Sequence, residues 1–246
     1  MNVVPLKRKT VNDPICETPT YRRVTQLLEM CHTRGAMGRI IGKPGVGKSV
    51  AIRRFTDSTG FKSKAYFHEV SVEHAESMAK FLKSLRDSTG IHAYGTANSV
   101  RVNITNHLRL YGGTLIMDEA QKLSPKTVEL LREIHDSSGC GLVLCGNHDI
   151  ASRFGNTRPS AFAQIESRIS YRLEIDGSSE GDIRAVCDHE GIGNARTIAK
   201  LVKLGQGPLG LRIVADAIAQ TRLIIGDRAI TPGDVDKTLG FMGVQL

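Results

Sequence analysis

The octapeptide Gly42-Lys43-Pro44-Gly45-Val46-Gly47-Lys48-Ser49 follows a short apolar run and fits the pattern G-x-x-x-x-G-K-[ST] at every required position. This pattern works only where a strand turns through a glycine-rich loop into a helix. The glycines let successive backbone N–H groups curl around a phosphate, Lys48 can reach the β- and γ-oxygens, and the Ser49 hydroxyl can ligate Mg²⁺ at the start of a helix whose dipole favours anions. The segment from Gly42 to Val50 is therefore the expected binding surface for a nucleoside triphosphate.

The rest of the chain alternates in the way such a loop requires. A helix capped by Thr18 or Thr20 is expected to run to about His32 and end at Gly35, with Val24, Leu27, Leu28 and Cys31 on one stripe. Met37 to Ile41 reads as a strand, and Lys48 to about Asp57 as a helix presenting Val50, Ile52 and Phe55. Ala65 to Val70 is a second strand. Helical spacing follows at Ala75, Met78, Phe81, Leu82 and Leu85, and again from Asn98 to Leu110 through Val102, Ile104 and Leu108. Thr114 to Glu119 and Gly141 to Asn147 read as central strands around a helix marked by Val128, Leu130, Leu131 and Ile134, and Ile169 to Ile175 as the last strand. Strands alternating with crossover helices predict a three-layer α/β core on a mostly parallel sheet, with ligands at the strands' carboxyl ends. Beyond Gly177 four helical segments separated by glycine-containing turns predict a helical lid. The expected divisions are an N-terminal arm and helix over 1–35, a nucleotide-binding α/β domain over 36–176 and the lid over 177–246.

Asp118 ends an apolar strand, the position from which a carboxylate can hold Mg²⁺, and Glu119 beside it can polarise a water for attack on the γ-phosphate. ATP hydrolysis is the expected reaction. Asn147, at the end of the next strand, can hold that water or sense the γ-phosphate; it can equally form a turn with His148 and Asp149. Charge developing on the γ-phosphate calls for an arginine. Arg168, just before the last strand, is the candidate for delivery from a neighbouring subunit, with Arg172 as the alternative. Arg212 at a lid-helix start is the candidate for reporting hydrolysis as a lid rotation, with Arg196 competing.

The chain carries 33 Lys and Arg against 25 Asp and Glu, a net charge of +8, which favours a polyanionic partner. It has no Trp and few other aromatics, so contact with a duplex backbone is expected rather than stacking on splayed bases. Five cysteines without a CxxC pair argue against a disulfide scaffold and structural zinc. The absence of a long apolar run, and of an apolar segment after the basic cluster at Lys7, Arg8 and Lys9, predicts a cytoplasmic protein without a membrane partner.

Together these positions resemble an AAA+ ATPase, a member of the P-loop NTPases, and within that class the target-selection ATPases of transposons, the family of the phage Mu transposition protein B. The resemblance covers most of the chain from about residue 36. It is densest over Gly42 to Ser49, Leu115 to Gln121, Gly141 to His148, Phe162 to Arg172 and Gly207 to Val214. It implies that Lys48, Ser49 and Asp118 bind Mg-ATP, that Glu119 activates water, that Asn147 and Arg212 are sensors and that Arg168 is the intersubunit finger. It further implies a homo-oligomeric ring or filament on duplex DNA, formed with little sequence preference, that delivers target DNA to a DDE transposase and stimulates it. The transposase in turn promotes hydrolysis and disassembly. The phage protein has a separate helix-turn-helix-like N-terminal domain, whereas an arm and one helix precede the core here. DNA contact is then expected from the ATPase ring or filament interior, including Lys7, Arg8, Lys9, Lys83, Arg86, Arg101 and Arg109. A helicase loader or replication initiator, and a protein-remodelling ATPase not acting on DNA, are the competing readings.

Overall fold

Thr18 starts the first helix, α1 (Pro19–Arg34): its side chain accepts the Tyr21 N–H, and Pro19 occupies the first turn where a missing N–H costs nothing. Gly35, left-handed at φ 59°, ends the helix. The computed structural model describes residues 15–60, 63–75, 77–150 and 165–244; Lys7, Arg8 and Lys9, and the front of the 162–172 segment, lie outside them.

Five strands follow: β1 (Met37–Gly42), β2 (Ala65–Glu69), β3 (Thr114–Asp118), β4 (Gly141–Gly146) and β5 (Ile169–Ile175). They form one sheet in the order β2-β3-β4-β1-β5, every neighbouring pair parallel. The pleat sorts their side chains onto two faces. Met37 and Ile41, Leu115 and Met117, and Leu142 and Leu144 join one core; Ile40, Ile116, Val143 and Cys145 join the other. The first face is covered by α4 (Met78–Thr89), α5 (Ala97–Tyr111) and α6 (Pro125–Ser138), the second by α1 and α2 (Lys48–Ser58). This is the three-layer α/β core expected. Both faces are buried, which is why the central strands are continuous apolar runs rather than alternating ones.

Three helix readings are corrected. Val50 is 54% exposed, because Lys48, Ala51, Ile52 and Phe55 form the buried stripe of α2 and Val50 falls opposite it. Val102 is exposed for the same reason, since the buried positions of α5 are Val100, Ile104, Thr105 and Leu108. The pattern from Ala75 to Leu85 is two helices, α3 (Val72–Ala75) and α4, because Ser77 is extended at φ −130°, ψ 122° and leaves Met78 exposed at the start of the second.

The C-terminal helices α7 (Glu180–His189), α8 (Ala195–Gly205), α9 (Gly210–Ile225) and α10 (Pro232–Phe241) bury their own core of Ile183, Cys187, Leu201, Val214, Ile218, Val235 and Leu239, among others. They are fastened to the α/β core by polar contacts. Asp182, fully buried in the first turn of α7, accepts from Thr20 N at 2.7 Å and Thr20 Oγ1 at 2.9 Å at the start of α1. Among the described residues no helix is long and apolar enough to cross a membrane.

Candidate functional site

The phosphate loop spans the end of β1 and the first turn of α2. Val46 is buried in the second core and pins the loop's middle, while Lys43 N donates to Ile175 O at 3.3 Å and ties its start to β5. Gly45 and Gly47 take φ 80° and 95°, a region L side chains rarely adopt. At Gly45 space is lacking as well: a Cβ would stand 2.2 Å from the Leu209 carbonyl oxygen. The loop is therefore in direct contact with the start of α9, and Arg212 N donates to Gly45 O at 3.2 Å.

Lys48 is buried, with Nζ donating to Gly42 O at 2.6 Å and Lys43 O at 2.8 Å. Burial pulls its ammonium below the ordinary lysine value, while the neighbouring Cys145, Asp118 and Glu119 push the other way. Ser49 Oγ donates to Asp118 Oδ2 at 2.7 Å, and Glu119 N to Asp118 Oδ1 at 3.0 Å. Cys145 lies beneath this pair, its thiol held well above its usual value by complete burial and by Asp118.

The chain leaves the sheet abruptly after Asp118. Glu119 has φ 57°, left-handed for a non-glycine residue, so the strand expected to run to Glu119 stops at Asp118 and curls there. Its carboxylate accepts from Gln121 Nε2 at 2.7 Å and pairs with Lys122 Nζ at 3.3 Å. Gln121 also accepts the Asn147 N–H at 3.4 Å, and a Cβ at Gly146 would lie 2.1 Å from Gln121 Oε1, so a larger residue there would displace this side chain. Gln121 thus joins the ends of β3 and β4, a role the sequence did not announce.

The side chain of Asn147 makes a local turn: Nδ2 donates to Asp149 Oδ2 at 3.0 Å and Oδ1 accepts from Asp149 N at 3.0 Å. This is the turn-forming geometry, at the strand end that neighbours the loop. His148 is exposed. Arg212 is exposed in the first turn of α9 against the loop, whereas Arg196 is exposed at the start of α8, where its own N–H donates to the capping Asn194. Lys48, Ser49, Asp118, Glu119, Asn147 and Arg212 thus gather at one edge of the sheet.

Arg168 does not join them. It precedes Ile169, which pairs with Met37 at the start of β1, while the loop follows Gly42 at the far end. Five residue steps of strand at about 3.3 Å each separate the two levels by roughly 16 Å, beyond the reach of one arginine side chain. Arg168 is instead half-exposed beside Asp136, at 3.4 Å, and Arg172 pairs with Glu166 at 3.1 Å. Of the expected DNA-contacting side chains, Lys83 is exposed on α4. Arg86 is bonded to Asp87, Arg101 to Asn98, and Arg109 clips α5 to the Ser137 carbonyl.

Among the described residues no group of three or more His, Cys, Asp or Glu could cage a metal. Ser49 and Asp118 offer hard oxygen ligands that already meet at 2.7 Å. That donor set suits a magnesium ion that completes its shell with phosphate oxygens and water.

A family model described as an AAA domain matches residues 31–154, slightly over half of the chain. The ATP-dependent target DNA activator B of Escherichia phage Mu is 28% identical over 200 residues, which cover 80% of this chain and 63% of the relative. The chain therefore spans less than two-thirds of that relative's length. The Mu-like prophage FluMu DNA transposition protein B of Haemophilus influenzae is 28% identical over 213 residues, covering 82% and 71%. Cdc6p from Pyrobaculum aerophilum shares the fold, with a TM-score of 0.68 at 17% identity over 96% of this chain and 69% of that one. With a phosphate loop on a parallel sheet, a helical segment resting on that loop and the AAA model across half its length, the chain belongs to the AAA+ ATPase family, as a relative of the Mu-like B proteins.

Proposed function

We propose that this chain is a nucleotide-switched ATPase that assembles on duplex DNA with little sequence preference, selects or delivers target DNA and activates a DDE transposase. The observation that carries the reading is the separation of Arg168 from its own phosphate loop by the length of β1. An arginine at that end of the molecule can serve a γ-phosphate only on a neighbour, so catalysis requires assembly. The +8 charge supplies a reason for assembly on a polyanion, and the relative from phage Mu carries the description of an ATP-dependent target DNA activator. The likeness to Cdc6p is one of fold.

In this reading the backbone of Gly45 to Ser49 cradles the β-phosphate and Lys48 transfers its hydrogen bonds from the loop carbonyls to phosphate oxygens. Ser49 and Asp118 would hold Mg²⁺, which would supply charge neutralisation for the phosphates. Glu119 accepts a proton from the attacking water as the bond from the γ-phosphorus to the bridging oxygen breaks, giving ADP and phosphate. Arg168 of the neighbouring protomer stabilises the charge on the transferring group. Arg212, riding on α9 against Gly45, carries the change to the C-terminal helices.

Electron microscopy with duplex DNA and ATP tests assembly: rings or filaments are expected, with binding that weakens steeply as salt rises. ATP turnover should rise with DNA and, further, with the cognate transposase. Uniformly monomeric particles and a turnover indifferent to DNA would refute the proposal and favour a protein-remodelling ATPase.

A further inference from the structure

β1 carries one charge into a strand that is buried at every position. Arg39 lies on the face of Met37 and Ile41, with a side chain only 10% exposed. A guanidinium in such a place is costly unless carboxylates take its N–H groups. Nη1 donates to Glu166 Oε2 at 2.7 Å and Nη2 to Glu174 Oε1 at 3.4 Å, while buried Nε has no hydrogen-bond partner among the described residues. The same Glu166 is held from its other side. Arg172 Nε donates to Glu166 Oε1 at 3.1 Å and Nη2 to the Glu166 carbonyl at 2.9 Å. Two residues further along is Arg168, whose N–H donates to the carbonyl of fully buried Ile165 at 2.9 Å.

We infer that Arg39 is a positioning residue for Arg168: by anchoring Glu166 from inside the sheet it fixes the turn from which Arg168 is presented to a neighbouring protomer. The inference rests on the reading of Arg168 as an arginine supplied in trans. Among the described residues the ion pair of Arg168 is to Asp136, which Arg132 already binds. An apolar side chain would satisfy the strand. What a charge adds at this position is a directed bond to the Glu166 turn, and with it a single placement of Arg168. Arg39 therefore acts on the site of the next subunit and leaves the phosphate loop of its own chain intact.

That asymmetry gives the test. Arg39→Met should retain its melting temperature within a few degrees and its affinity for a fluorescent ATP analogue, yet lose turnover on duplex DNA by about 10²-fold, the effect of a misplaced catalytic group. Lys48→Ala, with a dead site and a sound Arg168, should be inactive alone. Mixed in equal amounts with ATP and DNA, the two should recover turnover, because about a quarter of randomly formed head-to-tail interfaces place a sound loop against a sound arginine. Arg168→Ala mixed with Lys48→Ala is the control. Recovery in the control without recovery for Arg39→Met would overturn the positioning role, as would wild-type turnover by Arg39→Met alone. Recovery in neither mixture would show that Arg168 does not act in trans, and the inference would fall with that reading. Glu166→Gln, altering a partly exposed residue, should behave as Arg39→Met does and carries the same mixing test if Arg39→Met does not fold; Arg39→Lys, which can reach one carboxylate, should restore part of the turnover.

Discussion

Replacing Asp182 by alanine should loosen the junction between the C-terminal helices and the nucleotide-binding core. Its carboxylate accepts four hydrogen bonds: from Thr20 N at 2.7 Å, Thr20 Oγ1 at 2.9 Å, Ser179 N at 2.9 Å and Ser179 Oγ at 2.7 Å. One side chain thus caps two helices, α7 in its own capping box and α1 across the junction. In the alanine variant the two hydroxyls can turn to other acceptors and the N–H of exposed Ser179 can turn to water, but the N–H of buried Thr20 cannot. The orphaned Thr20 N–H is buried and costs about 1–3 kcal/mol, so the expected loss is about 2 kcal/mol. Burial alone would raise the Asp182 carboxyl, but the bonds from Ser179 and Thr20 outweigh it and hold the group below the usual carboxylate range. A group depressed in the folded state stabilises above its unfolded pKa and loses that contribution as pH falls through the folded value. The difference between wild type and Asp182→Ala in urea unfolding should therefore be full at pH 7 and shrink below about pH 4. A loss under about 1 kcal/mol at pH 7, or a difference that grows on acidification, would refute the assignment of the junction to this carboxylate.

Two further outcomes follow from the loop and its acids. Glu119→Gln keeps the shape of the side chain but not its basicity, so phosphate release should fall by about 10²-fold or more while a fluorescent ATP analogue still binds; equal loss of both would make Glu119 a binding residue instead. In Gly45→Ala the methyl group would lie 2.2 Å from the Leu209 carbonyl at φ 80°, a strain relieved only by lifting the start of α9 off the loop. Nucleotide affinity should drop by about tenfold, and unchanged affinity in a fully folded variant would mean that the contact does not support the bound phosphates.

The phosphate loop and the strands were legible because their signals are local: a glycine pattern, and apolar runs bounded by turns. Helix faces were less so. Val50 and Val102 are apolar and lie within true helices, yet which stripe is buried depends on where the neighbouring layer sits, and one misplaced anchor rotates the reading by half a turn. The acids at Asp118 and Glu119 could be read, but not the left-handed backbone that turns Glu119 toward Gln121, since this depends on packing at the ends of β3 and β4. Arg39 did leave a trace, a charge inside the apolar run Met37 to Ile41, and the Ser179-Glu180-Gly181-Asp182 spacing marks a helix start. Their partners were invisible: Glu166 lies 127 residues from Arg39 and Thr20 lies 162 residues from Asp182. Such pairs are created by the strand order and have no signature in either segment alone.

These long-range contacts explain how a small change at the loop can become a large one elsewhere. The C-terminal helices share a close-packed apolar core, so they shift as a body rather than deform. Hydrogen bonds fasten that body at the start of α1, through Asp182, and at the loop, through Arg212 N to Gly45 O, one before β1 and one after it. A displacement of the Gly45 carbonyl by a few tenths of an ångström has no soft element in which to dissipate: the first turn of α9 must follow, and α7, α8 and α10 with it. In the proposed function, chemistry at the γ-phosphate would thereby be coupled to the orientation of a surface made of four helices, and cutting either tether should leave hydrolysis and rotation as separate events.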